Sequence, residues 1–115
     1  MSPNAKLFLI ARADLAPGAQ LAQACHALRA FTATHPAVDA EWYRDSNNLV
    51  VLQVPDEPAL AALTERAHAA AVPHAVFREF DFGNEATALA LAPSGARLVS
   101  QLPLALRALV TERAA

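Results

Sequence analysis

A short apolar run, Leu7-Phe8-Leu9-Ile10-Ala11, ends in Arg12-Ala13-Asp14 and passes through Pro17-Gly18 into a stretch with helical spacing. An unbroken apolar run of this length fits a strand covered on both faces, the habit of a parallel sheet flanked by helices. Strand, turn and helix in succession make a strand–helix unit. In α/β proteins ligands sit beyond the carboxyl end of such a strand, facing the next helix. The polar residues at that spot, Asp14, Gln20, Gln23 and His26, therefore matter more than their number suggests.

The rest of the chain continues the alternation. The first strand is read as Lys6 to Arg12 and the first helix as Ala19 to Thr34, closed by His35-Pro36. Leu21, Cys25, Leu28 and Phe31 or Thr32 recur at three- and four-residue spacing and form its predicted buried stripe, with Gln23, His26 and Ala30 on the other side and Cys25 as an inert core thiol. Glu41 to Asn48, with Trp42 and Tyr43, reads as a polar loop holding at most a helical turn. A second strand spans Leu49 to Val54. Asp56 caps the next helix, with Pro58 in its first turn, Leu60, Leu63 and Ala67 inward, and Pro73 beyond its end near Ala71. A third strand runs from His74 to Glu79, a loop covers residues 80–85, and a fourth strand runs from Thr87 to Ala92. Pro93-Ser94-Gly95 opens a final helix with Leu98, Leu102, Leu104 and Leu106 as apolar contacts and Pro103 as a kink. The order is βαβαββα, an α/β fold with a largely parallel sheet, right-handed crossovers, and one antiparallel strand forced by the short third connection.

Composition sets the outer bounds. The 115 residues, 55% hydrophobic and 17% charged, suffice for one domain over 1–115 with a real core. A net charge of -2 argues against a broad nucleic-acid footprint, although Lys6, Arg12, Arg29, Arg44 and Arg78 could still form a local patch. The single cysteine, Cys25, cannot make an internal disulfide. No stretch approaches the roughly 18 apolar residues of a membrane span, and the first apolar run is too short for a signal sequence, so the cytoplasm is the expected compartment.

Several chemistries lack their motifs. The three glycines lie far apart, so no phosphate loop exists; no cysteines and histidines have metal-ligand spacing; and there is no Gly-x-Ser-x-Gly elbow. Two polar groups remain at strand ends. The first is Asp14, Gln20, Gln23 and His26, with Gln23 and His26 sharing a helix face. The second is Arg78, Glu79, Asp81, Asn84 and Thr87. A histidine shuttles protons near neutral pH, a carboxylate orients it or activates water, and an amide and a hydroxyl position a carbonyl. That set suits ester or amide hydrolysis without metal or cofactor. Each residue also has a plainer reading: His26 as a packing or surface histidine, Gln23 as a solvated helix residue, Asp14 as a turn cap, and Arg78 with Glu79 or Asp81 as a surface ion pair. Trp42 and Tyr43 suit core cover or a subunit contact, and an unrelated α/β domain that oligomerises through their loop is a third possibility.

At these residues the chain resembles the second, archaeal and eukaryotic-type peptidyl-tRNA hydrolase family. The likeness is carried by Lys6 to Leu15, by Ala22-Gln23-Ala24-Cys25-His26-Ala27, by Phe77-Arg78-Glu79 and by Thr87-Ala88-Leu89-Ala90-Leu91-Ala92-Pro93. The resemblance implies a three-layer α/β/α fold around a mixed four-stranded sheet, a homodimer, and cofactor-free cleavage of the ester between a peptide and tRNA. Gln23, His26 and Thr87 match the family's glutamine, histidine and threonine; its aspartate falls on Glu79, with Asp81 as the alternative. Glu79 or Asp81 would then act with His26 on water, Gln23 and Thr87 would hold the ester, Asp14 and Gln20 would line the site, and Arg12 or Arg78 would meet a phosphate. Two departures stand out. Ala19 occupies the place of a functional lysine, and the loop before Thr87 is shortened. Ala19, together with the acidic net charge, motivates the rival expectation of an inactive relative that binds a ligand, RNA or protein.

Overall fold

A computed structural model describes residues 1–107. Four strands, β1 (Lys6–Arg12), β2 (Asn48–Val54), β3 (His74–Glu79) and β4 (Glu85–Leu91), form one sheet in the order β2-β1-β4-β3. β1 and β2 are parallel, and β4 is antiparallel to both β1 and β3. The helices are α1 (Pro17–Thr34), α2 (Pro36–Asp45) and α3 (Glu57–Ala69). The chain crosses from β1 to β2 in one direction and from β2 to β3 in the other. Two right-handed crossovers of opposite direction place α1 and α3 on opposite faces of the sheet. α1 packs on β1, β3 and β4, and α3 on β4, β3 and β1. The expected mixed α/β architecture is present, with α2 as an addition to it.

The core lies in the two layers against the sheet. Leu7, Ile10, Phe31, Leu60, Leu63, Leu89 and Leu91 are fully buried, each stabilising the fold by roughly 1.5–3 kcal/mol relative to exposure. Local signals fix the ends of the elements. Asp56 Oδ1 accepts the Ala59 backbone N–H at 3.0 Å, and Pro17 and Pro36 stand in the first turns of α1 and α2, where their missing N–H costs nothing. Gly95 is needed because a Cβ there would meet the Leu91 side chain at 2.6 Å.

Three expectations are corrected. The buried face of α1 is Gln20, Gln23, Ala24, Ala27 and Phe31, whereas Leu21 is 57% exposed and Cys25 is exposed. Alanines let the helix sit close to the sheet, and each of the two glutamines finds a partner there for one end of its amide. Residues 36–45 are helical rather than a loop, so Trp42 is buried, donating from Nε1 to the Asn48 carbonyl at 2.8 Å, while Tyr43 is exposed. The last predicted helix is a 3-10 segment, Pro93–Leu98. Beyond it, Gln53 N–H donates to Pro103 O and Ala105 N–H to Val51 O, at 3.0 and 2.9 Å, leaving Leu104 and Leu106 exposed. Proline disfavours helix for the residue before it, so the chain leaves helical geometry ahead of Pro103 and covers part of the β2 edge through a single bridge between Leu52 and Leu104.

Candidate functional site

The carboxyl ends of β1, β2 and β3, the start of β4, and the first turns of α1 and α3 all meet at one end of the sheet, as the strand directions require. The two polar groups read from the sequence at strand ends lie at or near this end, on two different faces.

On the α1 face, Gln23 and Thr87 are 5% and 0% exposed and stand 64 residues apart in sequence. Thr87 Oγ1 donates to Gln23 Oε1 at 2.6 Å and lies 3.3 Å from the Phe77 carbonyl. A hydroxyl has one hydrogen, and the shorter contact takes it. Among the described residues nothing accepts from Gln23 Nε2, so both its hydrogens are available. His26, one turn further along α1, is exposed and stacks on Phe77 with ring centroids 4.5 Å apart and planes 13° from parallel. Stacking of this kind holds the imidazole plane while leaving its edge nitrogens to solvent. Glu79 is two residues beyond Phe77 on β3, and strand alternation puts it on the same face, one pleat nearer the strand end. No hydrogen bond joins His26 to Glu79 or Asp81 among the described residues.

Thr87 reaches this face through a break in the pleat. Phe77 pairs with Ala88 but Arg78 pairs with Ala86, which leaves Thr87 as the extra residue of a bulge. Regular alternation would have sent it with Leu89 and Leu91 to the α3 face. The turn before it is tight: the 3-10 segment Phe80–Phe82 leads into Gly83 at φ 67° and Asn84 at φ 63°, whose N–H donates to Glu79 O. Asp81 sits exposed on that turn, and Phe80 beside it is 87% exposed.

The arginines lie elsewhere. Arg12 is only 6% exposed. Its Nε and Nη2 grip the two oxygens of Asp14 at 3.0 and 2.8 Å, and its Nη1 donates to Glu85 Oε1 at 2.7 Å and to the Ala86 carbonyl at 3.0 Å. The fork raises the guanidinium pKa and lowers that of Asp14, in each case chiefly through their mutual hydrogen bonds. Arg78 points to the α3 face, lining a cavity of about 340 Å³ with Glu57, Glu65, Val76 and Ala86. Among the described residues its one hydrogen bond is to the Asn84 carbonyl, at 3.4 Å. Gln20 donates to the Leu15 carbonyl at 2.7 Å and bridges the turn, its Oε1 buried with no hydrogen-bond partner among the described residues.

The structure therefore joins Gln23 to Thr87, sets His26 one turn along the same helix against Phe77, gives Glu79 and Asp81 no hydrogen bond to any of them among the described residues, and removes Arg12 and Arg78 from that face. Three residues had no role in the sequence reading: Phe77 is the platform under His26, and Glu57 and Glu85 hold the start of β4. Arg29, considered there only as part of a basic patch, is exposed and, three residues after His26, shares its helical side. The i, i+3 spacing was the signal that links that pair. Among the described residues no group of three histidine, cysteine, aspartate or glutamate side chains has the geometry to hold a metal ion, and no helix is long and apolar enough to cross a membrane.

A mixed four-stranded α/β sheet with a histidine, an amide and a hydroxyl gathered at its carboxyl end is the class of protein that fold and site define. The family model for peptidyl-tRNA hydrolase PTH2 matches residues 5–109, and the chain belongs to that family. Among solved structures it is similar to a protein of unknown function from Agrobacterium tumefaciens strain C58, with a TM-score of 0.64 and 16% identity over 86% of this chain and 96% of that one. At that identity the likeness speaks for the fold alone. No curated protein matches the chain in sequence.

Proposed function

We propose that the chain is an esterase of the peptidyl-tRNA hydrolase type, cleaving the bond between a peptide, or an N-blocked amino acid, and the terminal ribose of tRNA. The observation that carries this reading is the buried 2.6 Å hydrogen bond from Thr87 to Gln23, which ties the start of β4 to α1 one turn from His26. Family membership supports it.

In this reading Thr87 fixes the Gln23 amide so that Nε2 donates to the ester carbonyl oxygen as it gains negative charge. His26 takes a proton from water whose oxygen attacks the carbonyl carbon, with Glu79 beside it to stabilise the imidazolium and Asp81 as the alternative acid. Collapse of the tetrahedral intermediate breaks the bond to the ribose oxygen, which leaves with the proton held by His26. The products are a peptide carboxylate and a free ribose hydroxyl. Arg29 replaces Arg12 and Arg78 as the phosphate contact, since it alone of the three is exposed on the His26 side. Asp14 and Gln20 shape the turn instead of touching substrate.

The direct test is release of the acyl group from an N-acetyl-aminoacyl-tRNA. Turnover that disappears in His26→Ala and Glu79→Ala while tRNA binding persists supports the enzyme. No turnover above background at high protein concentration retires it. A second reading, a non-catalytic binding relative, is favoured by one observation: Asp14, Asp56, Glu57, Glu79, Asp81 and Glu85 give this end of the sheet an acidic rim, and Ala19 leaves it without the family's lysine. An acidic rim repels a polyanion. Undetectable tRNA binding at low salt, where phosphate contacts are strongest, would favour a ligand or protein partner instead. The dimer and the cytoplasmic setting belong to the same proposal, and sedimentation of the purified chain tests the first.

A further inference from the structure

The last β1–β4 pair is Ala11 with Ala88. Beyond it the Ala86 peptide has no β1 backbone to meet, yet both its polar groups are satisfied. The Arg12 guanidinium donates to its carbonyl at 3.0 Å, and Glu57 Oε2 accepts its N–H at 2.8 Å. Arg12 comes from the end of β1 and Glu57 from the first turn of α3, so two side chains on the α3 face replace a missing piece of ladder. The peptide they hold directly precedes Thr87, the extra residue of the bulge. Arg12 is itself fixed by Asp14 and Glu85, and is nearly inaccessible to any ligand.

We infer that Arg12 and Glu57 are positioning residues: by clamping the Ala86 peptide from one face of the sheet, they hold the bulge that turns the Thr87 hydroxyl to Gln23 on the other. Without the clamp β4 can slip back to regular pleating, since a bulge leaves one residue unpaired and costs ladder bonds. Thr87 then follows Leu89 toward α3, and Gln23 Oε1 loses its donor. Arginine is required at position 12 because only a fork can grip a carboxylate through two nitrogens and still reach a carbonyl with the third. Glu57 needs only an acceptor oxygen. The catalytic part of this inference rests on the esterase reading; the structural part does not.

Two measurements on the full chain separate them. The first is hydrogen exchange at the Ala86 amide, with the Thr87 methyl NMR shift as a marker of its environment. The second is kcat and KM for acyl release from N-acetyl-aminoacyl-tRNA. Glu57→Ala is expected to speed Ala86 exchange at least tenfold relative to Leu89, move the Thr87 methyl, and lower kcat about tenfold with KM unchanged, a barrier change of about 1.4 kcal/mol. Glu57→Gln is expected to restore all three, because its amide oxygen accepts the same N–H. Arg12→Lys is expected to behave like Glu57→Ala. An unmoved Thr87 methyl in Glu57→Ala overturns the inference, as does acceleration shared equally by Leu89 and Ile10, which marks general destabilisation. Should Arg12→Lys fail to fold, the Glu57 pair decides alone. Absence of turnover in the natural chain removes the esterase reading and leaves the exchange and NMR arms to judge the clamp.

Discussion

The two faces of the sheet end are built from opposite materials. On the α1 face a neutral amide and a neutral hydroxyl meet in a buried, water-excluding contact, under an imidazole stacked on a phenyl ring. On the α3 face an arginine is held by carboxylates that remain partly exposed, the Asp14 and Glu85 side chains at 41% and 45%. A net-neutral pair in low dielectric is demanding about geometry and indifferent to salt and pH. A charged, half-solvated cluster tolerates small movements and answers to both. The molecule thus separates aiming from anchoring, and perturbations should act differently on the two faces.

The largest effect belongs to chemistry on the α1 face. His26→Ala removes the proposed base but little buried surface, so acyl release should fall by roughly 10²–10⁴-fold, the usual contribution of a positioned acid–base group. The thermal midpoint should stay within a few degrees. A drop in activity accompanied by an equal loss of stability would recast His26 as a packing residue. An alanine at Arg12 should reverse the pattern, losing stability first.

Next comes the neutral pair itself. Thr87→Val keeps the shape but strands Gln23 Oε1 in a dry site, at a cost of about 1–3 kcal/mol. Replacing both partners, Thr87→Val with Gln23→Met, leaves no orphan acceptor and should recover part of that loss. Chemical denaturation of the three variants checks it. If the double variant is less stable than the sum of the singles, the pair is not the isolated neutral contact described here.

How much of this was legible beforehand follows the same division. Strand β1, α3 and β3 could be read because their signals are local: an apolar run, an aspartate three residues before the N–H it caps, a proline after the last turn. The orientation of α1 could not. Leu21, Cys25 and Leu28 offer the more hydrophobic stripe, but the sheet takes the alanines and glutamines because they pack closer and find partners there. Those partners, the Leu15 carbonyl and the Thr87 hydroxyl, exist only once the chain has folded. The bulge is hidden for the same reason, since nothing in Ala86-Thr87-Ala88 marks it and its clamp arrives from positions 12 and 57. Arg12 at a strand end reads as an exposed cation. Its burial depends on Glu85, 73 residues away.

The smallest effects lie on the charged face, and pH separates them from everything above. Asp14 has its pKa lowered below the ordinary 3.8, first through its hydrogen bonds to Arg12. Its folded form therefore binds protons less readily than its unfolded form. The stability it contributes is fully present above the unfolded value and drains away as pH falls through the lowered folded one. Because the carboxylate is part exposed, the contribution should stay within about 1 kcal/mol and shrink with added salt. Denaturation midpoints between neutral pH and pH 3 should thus fall less steeply in Asp14→Asn than in the natural chain, the curves converging at the acid end. Thr87→Val should run parallel to the natural chain throughout, because no proton is exchanged at the Gln23–Thr87 contact. Parallel curves for Asp14→Asn as well would mean the arginine is held by Glu85 and the Ala86 carbonyl alone, and that the anchoring face has one carboxylate fewer than its geometry suggests.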